Sequence, residues 1–304
     1  MSVPTSPYPQ ATVAASVAVA AAGAFWGLWW IPLRFLESHG LTGNWASVTL
    51  NAAATLIVMP IVIARSWPTG QDLRRLLVVG LLAGFTFAAW NHALLYGTVV
   101  RVTLLFYLSP IWATAFGVLF LRDPVGPARA VSILLGFSGA SMVLDFHGIV
   151  PVPRDGAEWL ALGSGVTFAL MTVYIRKTHD VGALQKTLAN SMFAVPFALV
   201  FLIIAPAPPP SLGTLVHALP LILLSCIWLV PVGFLILWGA GRLDPGRVSI
   251  LLLFEVLASA ISAALFANEP FGWHEGTGCA LILSAGFVEG INQLRARPRL
   301  RIIS

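Results

Sequence analysis

Charge is the scarcest property of this chain. Of its 304 residues only 10% are Asp, Glu, Lys or Arg, while 58% are hydrophobic and the mean hydropathy is +0.88. Soluble globular domains carry about 25% charged residues, so the composition excludes a fold surrounded by water and places the chain in a bilayer. Cysteine is nearly missing. Cys226 and Cys279 stand outside any C-x-x-C or Cys/His cluster, which leaves no disulfide framework or zinc pattern, and both read as apolar packing residues. No H-x-x-x-H or Asp-rich phrase gathers acid–base or metal chemistry at one face. No Walker motif occurs, so ATP is not a direct driver, and neither cofactor nor metal is implied. A carbonyl-filter phrase or ring of like charges is missing too. An integral-membrane enzyme or a monomeric channel of unknown substrate stays as the alternative reading.

What the chain has is long apolar runs. About 20 apolar residues cross the hydrocarbon core as a helix, and ten such runs lie between charged, proline or glycine punctuation: 13–36, 43–64, 75–97, 100–121, 127–146, 157–176, 183–204, 213–239, 247–267 and 273–294. The expected fold class is an all-α membrane protein. The leader "MSVPTSPYPQ" has no basic residue and the run after it is too long for an h-region, so a cleavable signal peptide is not expected.

The runs repeat. "LFLRDPVGPARA" from Leu119 and "LFANEPFGWHEG" from Leu265 share one register 146 residues apart, in which Arg101, Val102, Leu105, Pro124 and Ser138 recur as Arg247, Val248, Leu251, Pro270 and Ser284. That shift carries the fourth run onto the ninth and the fifth onto the tenth. Each repeat then holds five helices, an odd number, so the second enters the membrane from the opposite side. The expected divisions are a cytoplasmic tail 1–12, a first repeat 13–146, an external linker 147–156, a second repeat 157–294 and a basic cytoplasmic tail 295–304. With both termini inside, 14 of the 17 Lys and Arg residues fall on the cytoplasmic side, leaving Arg34, Arg101 and Arg154 outside, as the positive-inside rule requires. The net charge of +5 reads as a topology signal beside an anionic leaflet, not as a nucleic-acid surface.

Two five-helix halves, "LSPIWATAFGVLFLRDP" closing the fourth run and "LFEVLASAISAALFANEP" closing the ninth, resemble the EamA type of the drug/metabolite transporter superfamily over nearly the whole chain. The resemblance implies ten helices and transport of a small metabolite across a bacterial-type inner membrane. It matches Pro110, Asp123, Glu255 and Glu269 to positions common in that family. Val256 departs from it by standing where a proline follows the glutamate, so no proline imposes a kink there.

Candidate pathway residues come from chemistry. Polar side chains inside lipid usually face the bundle interior or a cavity, and few lie within the runs: Asn51, Asn91, His92, Asn190 and Glu255, with hydroxyls such as Tyr96, Tyr107, Ser109, Tyr174 and Ser249. No Lys or Arg lies deep, which disfavours phosphorylated cargo. Trp26 and Trp30 share a helical face four residues apart, with Trp29 turned away; His92 and Tyr96 do the same, and Tyr107 and Trp112 approach the centre. Glu255 lies about 12 Å deep, eight residues past Arg247. Their convergence on one midplane site is expected, with a carboxylate and an aromatic wall suited to a cationic or zwitterionic amine, quaternary ammonium compound or amino acid. Glu255 and His92 are the candidate coupling groups, since a buried acid can exchange a proton against a cationic substrate. The duller readings are packing for Trp26 and Trp30, helix ties for Asn51 and Asn190, and an interfacial belt for Trp45, Trp67, Trp159, Trp238 and Trp273. Ser132, Gly136 and Ala140, answered by Gly278 and Gly286, read as scaffold or dimer surfaces, so a monomer or a homodimer is expected. "APAPPPSLG" is a stiff connector.

Overall fold

The computed structural model describes residues 9–65, 67–68, 70–97, 99–123, 125–143, 153–266 and 271–295. These residues form helices and no strands: α1 (Pro9–Gly27), α2 (Trp30–Ser38), α3 (Asn44–Arg65), α4 (Gln71–Tyr96), α5 (Val99–Phe106), α6 (Ser109–Phe116), a π-helical turn (Gly117–Leu121), α7 (Pro127–Val143), α8 (Gly156–Lys177), α9 (Ala183–Ile204), α10 (Leu212–Ala240), α11 (Pro245–Leu252), α12 (Phe254–Phe266) and α13 (Trp273–Arg295). Six stretches among them are long and apolar enough to cross a membrane: α3, α4, α8, α9, α10 and the combined α11–α12.

Three apolar runs are not continuous helices. The first breaks at Leu28–Trp29, the fourth at Tyr107–Leu108 and the ninth at Leu253. Proline explains two of these. A proline ring clashes with the carbonyl four residues earlier, and Pro32 and Pro110 set that clash at Leu28 and Phe106, where the helices give way. The third break has no proline, yet Leu253 stands 146 residues after Tyr107, at the equivalent point of the repeat. There the chain tightens locally: Leu253 N donates to Ile250 O at 3.1 Å and Val256 N to Leu253 O at 3.0 Å, the three-residue pattern of a 3₁₀ turn. Val256 therefore does not preserve a straight helix.

Small residues set how closely these broken helices approach. Gly23 and Gly27 lay one face of α1 on the backbone of Leu252 and Glu255, where a side chain at Gly27 would overlap the Glu255 carbonyl. This G-x-x-x-G spacing is the usual device for close helix contact in membranes. Gly139 and Gly278 face each other's carbonyls between α7 and α13, Gly136 meets Leu253 and Ala285, and Gly286 meets Phe254. The stripes read as possible dimer surfaces are thus used inside the chain. The largest apolar core joins Ala15, Val19 and Ala22 of α1 to Phe168, Met171, Ile236 and Leu251.

One end of the bundle is tied by charge. Arg129 of α7 pairs with Asp244 at 2.6 Å, Arg75 of α4 pairs with Asp180 at 2.7 Å, and the buried Lys186 ammonium donates to the Thr178 carbonyl at 2.6 Å, capping α8. Glu269 and the loop at 144–152 lie outside the described residues.

Candidate functional site

A pocket of about 40 Å³ lies between α1, α3, α4, α9 and α10. Its aromatic wall is Trp26 stacked on Trp29, with ring centroids 5.6 Å apart and planes 9° from parallel, and Phe87 5.5 Å from Trp26. Trp29 thus faces the pocket and does not turn away, because the helix breaks at Leu28–Trp29 and a 3.6-residue period no longer predicts its direction. The polar part of the lining is Ser47, Asn51, Asn91, Thr187, Asn190 and Ser191. Most are held by defined bonds: Asn51 Nδ2 donates to Ser47 O at 2.8 Å, Asn91 Nδ2 to Ser47 Oγ at 3.2 Å, and Thr187 Oγ1 to Ala183 O at 3.0 Å. Asn190 Oδ1 is buried with no hydrogen-bond partner among the described residues. Among the described residues, no Asp, Glu, Lys, Arg or His lines the pocket. Its volume suits a few waters.

The carboxylate is elsewhere. Glu255 sits just past the break in the ninth run and is hydrogen-bonded to Tyr107 at the break in the fourth. Tyr107 is buried in a cluster with Ala140, Leu253, Val256 and Ile282. Neither residue lines the pocket. The link between the two regions is α1, which presents Trp26 to the pocket and Gly27 to the Glu255 backbone.

The other candidates divide similarly. His92 is buried outside the pocket lining, sharing a 3.0 Å bond with Asn44 Nδ2 and lying 4.6 Å from both the Phe201 and Tyr96 rings. Tyr96 is half exposed. Trp112 buries its Nε1 without a partner among the described residues, away from the pocket lining. The Trp30 side chain is outside the description. Of the nine candidates, Trp26, Asn91 and Asn190 come together in the pocket, Tyr107 and Glu255 pair outside it, and His92 and Tyr96 form a third group. Sequence reasoning missed Trp29, Ser47, Thr187 and Ser191. Pro32 was the available signal for Trp29; the three hydroxyl residues carry no signal beyond helical position.

Outside the spans, electrostatics follow the ion pairs. Burial pushes the Asp244 carboxyl up, but the Arg129 and Arg247 charges beside it outweigh that and hold it below the usual carboxylate range. The Asp180 carboxyl is likewise low: slight burial opposes, and the Arg75 guanidinium prevails.

Comparison with known proteins agrees with this architecture. The EamA-like transporter family matches residues 14–145 and again 156–288. The chain is 25% identical over 191 residues to the uncharacterized transporter YvbV of Bacillus subtilis, covering 59% of each chain, and 24% identical over 221 residues to the uncharacterized transporter YojE of the same organism, covering 68% of this chain and 70% of that one. It is 25% identical over 166 residues to the uncharacterized transporter PA0485 of Pseudomonas aeruginosa, covering 54% of this chain and 51% of that one. The matches to YvbV and PA0485 span less than two thirds of those relatives. A solved crystal structure superposes with a TM-score of 0.67 over 92% of this chain and 99% of that one, at 17% identity, which shows a shared fold.

Proposed function

Because the chain belongs to the EamA-like transporter family, we propose that it is a secondary carrier, an exporter in a bacterial-type inner membrane, whose cargo binds in the pocket beside Trp26 and Trp29. Ten spans with both termini cytoplasmic complete this reading, motivated by the distribution of Lys and Arg. The observation that carries the substrate assignment is the Asn190 Oδ1 acceptor, which shares a lining with the indoles of Trp26 and Trp29 and, among the described residues, has no hydrogen-bond partner and no charged neighbour in that lining. An ammonium group satisfies both, donating to that oxygen while lying against the indole faces. With no fixed counter-charge among the described lining residues, a zwitterionic amino-acid-like metabolite fits better than a simple cation or a quaternary ammonium compound, which has no N–H to donate.

Coupling is assigned to Glu255. A carboxylate held by Tyr107 at a helix break can take or release a proton, and α1 joins it physically to the pocket wall. Since the pocket holds only a few waters, loading requires the helices around it to separate. A proton at Glu255 that changes how α1 lies on α12 changes the pocket too. In this arrangement proton and substrate are linked through α1 instead of competing for one acid.

The test is a thermal-shift screen of the purified protein against amino acids, primary amines and quaternary ammonium compounds, because a ligand that binds only the native state raises its apparent stability. A stabilising zwitterion whose effect disappears in Asn190→Ala supports the assignment. Stabilisation by quaternary ammonium compounds alone, retained in that variant, contradicts it.

A further inference from the structure

Hydroxyls in this protein's helices usually return to their own backbone. Thr49, Thr55, Thr86, Thr187 and Ser284 each donate to the carbonyl four residues earlier, at 2.7–3.0 Å. Thr114 of α6, Ser132 of α7 and Ser249 of α11 do not. Their oxygens are buried and have no hydrogen-bond partner among the described residues, and Asp123 Oδ2 shares that condition. Buried polar atoms without protein partners are uncommon, and ordered water is the ordinary way to satisfy them.

Thr114 and Asp123 adjoin α11 and the π-helical turn respectively, and helical spacing sets Ser132 and Ser249 along the same α6, α7 and α11 segments. At the lower end of this seam Gly246 of α11 lies against both Thr114 Oγ1 and Arg129 Nη1, while Gly117 lies 3.2 Å from Asp123 Oδ2, measured from the position a Cβ would occupy. At its upper end Gly136 of α7 meets Leu253, and Tyr107 packs with Ala140 and Leu253 while bonding Glu255. Helical spacing places Ser132 between Arg129 and Gly136 on one face of α7, and Ser249 one turn beyond Gly246 on one face of α11. From Gly246 to Leu253 the helical rise is about 10 Å, a distance that three hydroxyls and a few waters can bridge.

The lower end is also unusual in its backbone. The helix passes into the π-helical turn Gly117–Leu121, Arg122 takes a left-handed conformation at φ 58°, and Asp123 N folds back to Gly117 O at 3.2 Å. π-turns and strained residues cluster at functional positions. They aim Asp123 into a group formed by Arg176 of α8, Arg129 of α7, Arg247 of α11 and Asp244 at the α10–α11 turn, with Lys177 over the nearby Phe120 ring. Burial and the neighbouring Asp244 charge hold the Asp123 carboxyl above its usual range, against the pull of the three arginines.

We propose that the α6–α7–α11 seam is a water-filled proton path, with Asp123 as its entry acid and Thr114, Ser132 and Ser249 as its relay, delivering protons to and from Glu255. This rests on the reading of Glu255 as the coupling group. The proton passes along oxygen atoms and no covalent bond to carbon changes.

The experiment follows the proton itself. Full-length protein in lipid nanodiscs is given a pH jump, and the carboxyl infrared signal that disappears in Glu255→Gln is followed in time. Asp123→Asn and the near-isosteric combination Thr114→Val with Ser132→Ala and Ser249→Ala should each slow that signal tenfold or more, whereas Thr114→Ser alone, which keeps all three hydroxyls, should leave the wild-type rate. Ser284→Ala on the exposed face of α13 should leave it unchanged. Wild-type rates in the triple variant overturn the path even if Asp123→Asn is slow. Absence of any signal sensitive to Glu255→Gln overturns the coupling reading, and the path with it.

Discussion

The two neighbourhoods of α1 differ in kind. On one side Trp26 faces a pocket whose lining, among the described residues, offers indoles, amides and hydroxyls and no Asp, Glu, Lys, Arg or His; on the other, Gly23 and Gly27 lie on the backbone of the broken ninth run, which carries Glu255 and leads down α11 to Asp244. The difference separates recognition from coupling. A neutral pocket can hold cargo without changing its own charge, while a carboxylate at a helix break can change charge without touching the cargo. The device that keeps them apart and in mechanical contact is the glycine face of α1.

That separation is most severely broken at Gly27. A valine there would drive its Cβ into the Glu255 carbonyl and within 3.0 Å of Ser259 N and Ala258 Cβ. Backbone cannot yield as a side-chain tip can, so Gly27→Val should destabilise the protein by about 3 kcal/mol, read as a fall in thermal midpoint in detergent. A variant as stable as the parent means that α1 does not lie on α12 in this way.

The charged side should answer to pH as the pocket side does not. Asp244, held below the ordinary carboxylate range by Arg129 and Arg247 against its burial, binds a proton more weakly when folded than when unfolded. Its contribution is therefore present above the unfolded value near 4 and lost as pH falls through the lower folded value. Asp244→Asn should lower stability by about 2 kcal/mol at neutral pH, and the wild type should approach the variant as the medium is acidified. A constant gap between them down to pH 2 contradicts the ionic tie.

On the neutral side smaller effects are expected. Trp26→Ala or Asn190→Ala should weaken binding of a pocket ligand by about 1 kcal/mol, roughly fivefold, in calorimetric titration at constant pH. Smallest of all is Trp159→Ala. That indole is 61% exposed on α8 and should leave affinity unchanged; an equal loss at all three positions means general packing damage instead of recognition.

Much of this division was open to a sequence reader, though not its geometry. Hydropathy and the 146-residue repeat are periodic signals, and the Tyr107 and Leu253 breaks fall in that register even though only the first has a proline behind it. The direction of Trp29 depended on a break that Pro32 announces four residues later. Convergence of Glu255 with Trp26 was harder to judge, because depth in the membrane says how far along a helix a residue lies and nothing about which neighbour it faces. Gly23 and Gly27 hold that information, in a G-x-x-x-G phrase legible once its partner helix is known. Asn44, bonded to His92, lay at a run boundary and gave no sign.

The most direct test of recognition and coupling as separate functions is to measure ligand binding and proton exchange in one variant. Glu255→Gln, purified and titrated with a zwitterion identified by thermal shift, should bind with affinity within threefold of wild type but with no proton released or taken up, and transport in proteoliposomes should lose its dependence on pH. Loss of binding together with proton exchange would place the carboxylate in the cargo site and contradict the account; an unchanged pH profile would leave Glu255 a structural residue.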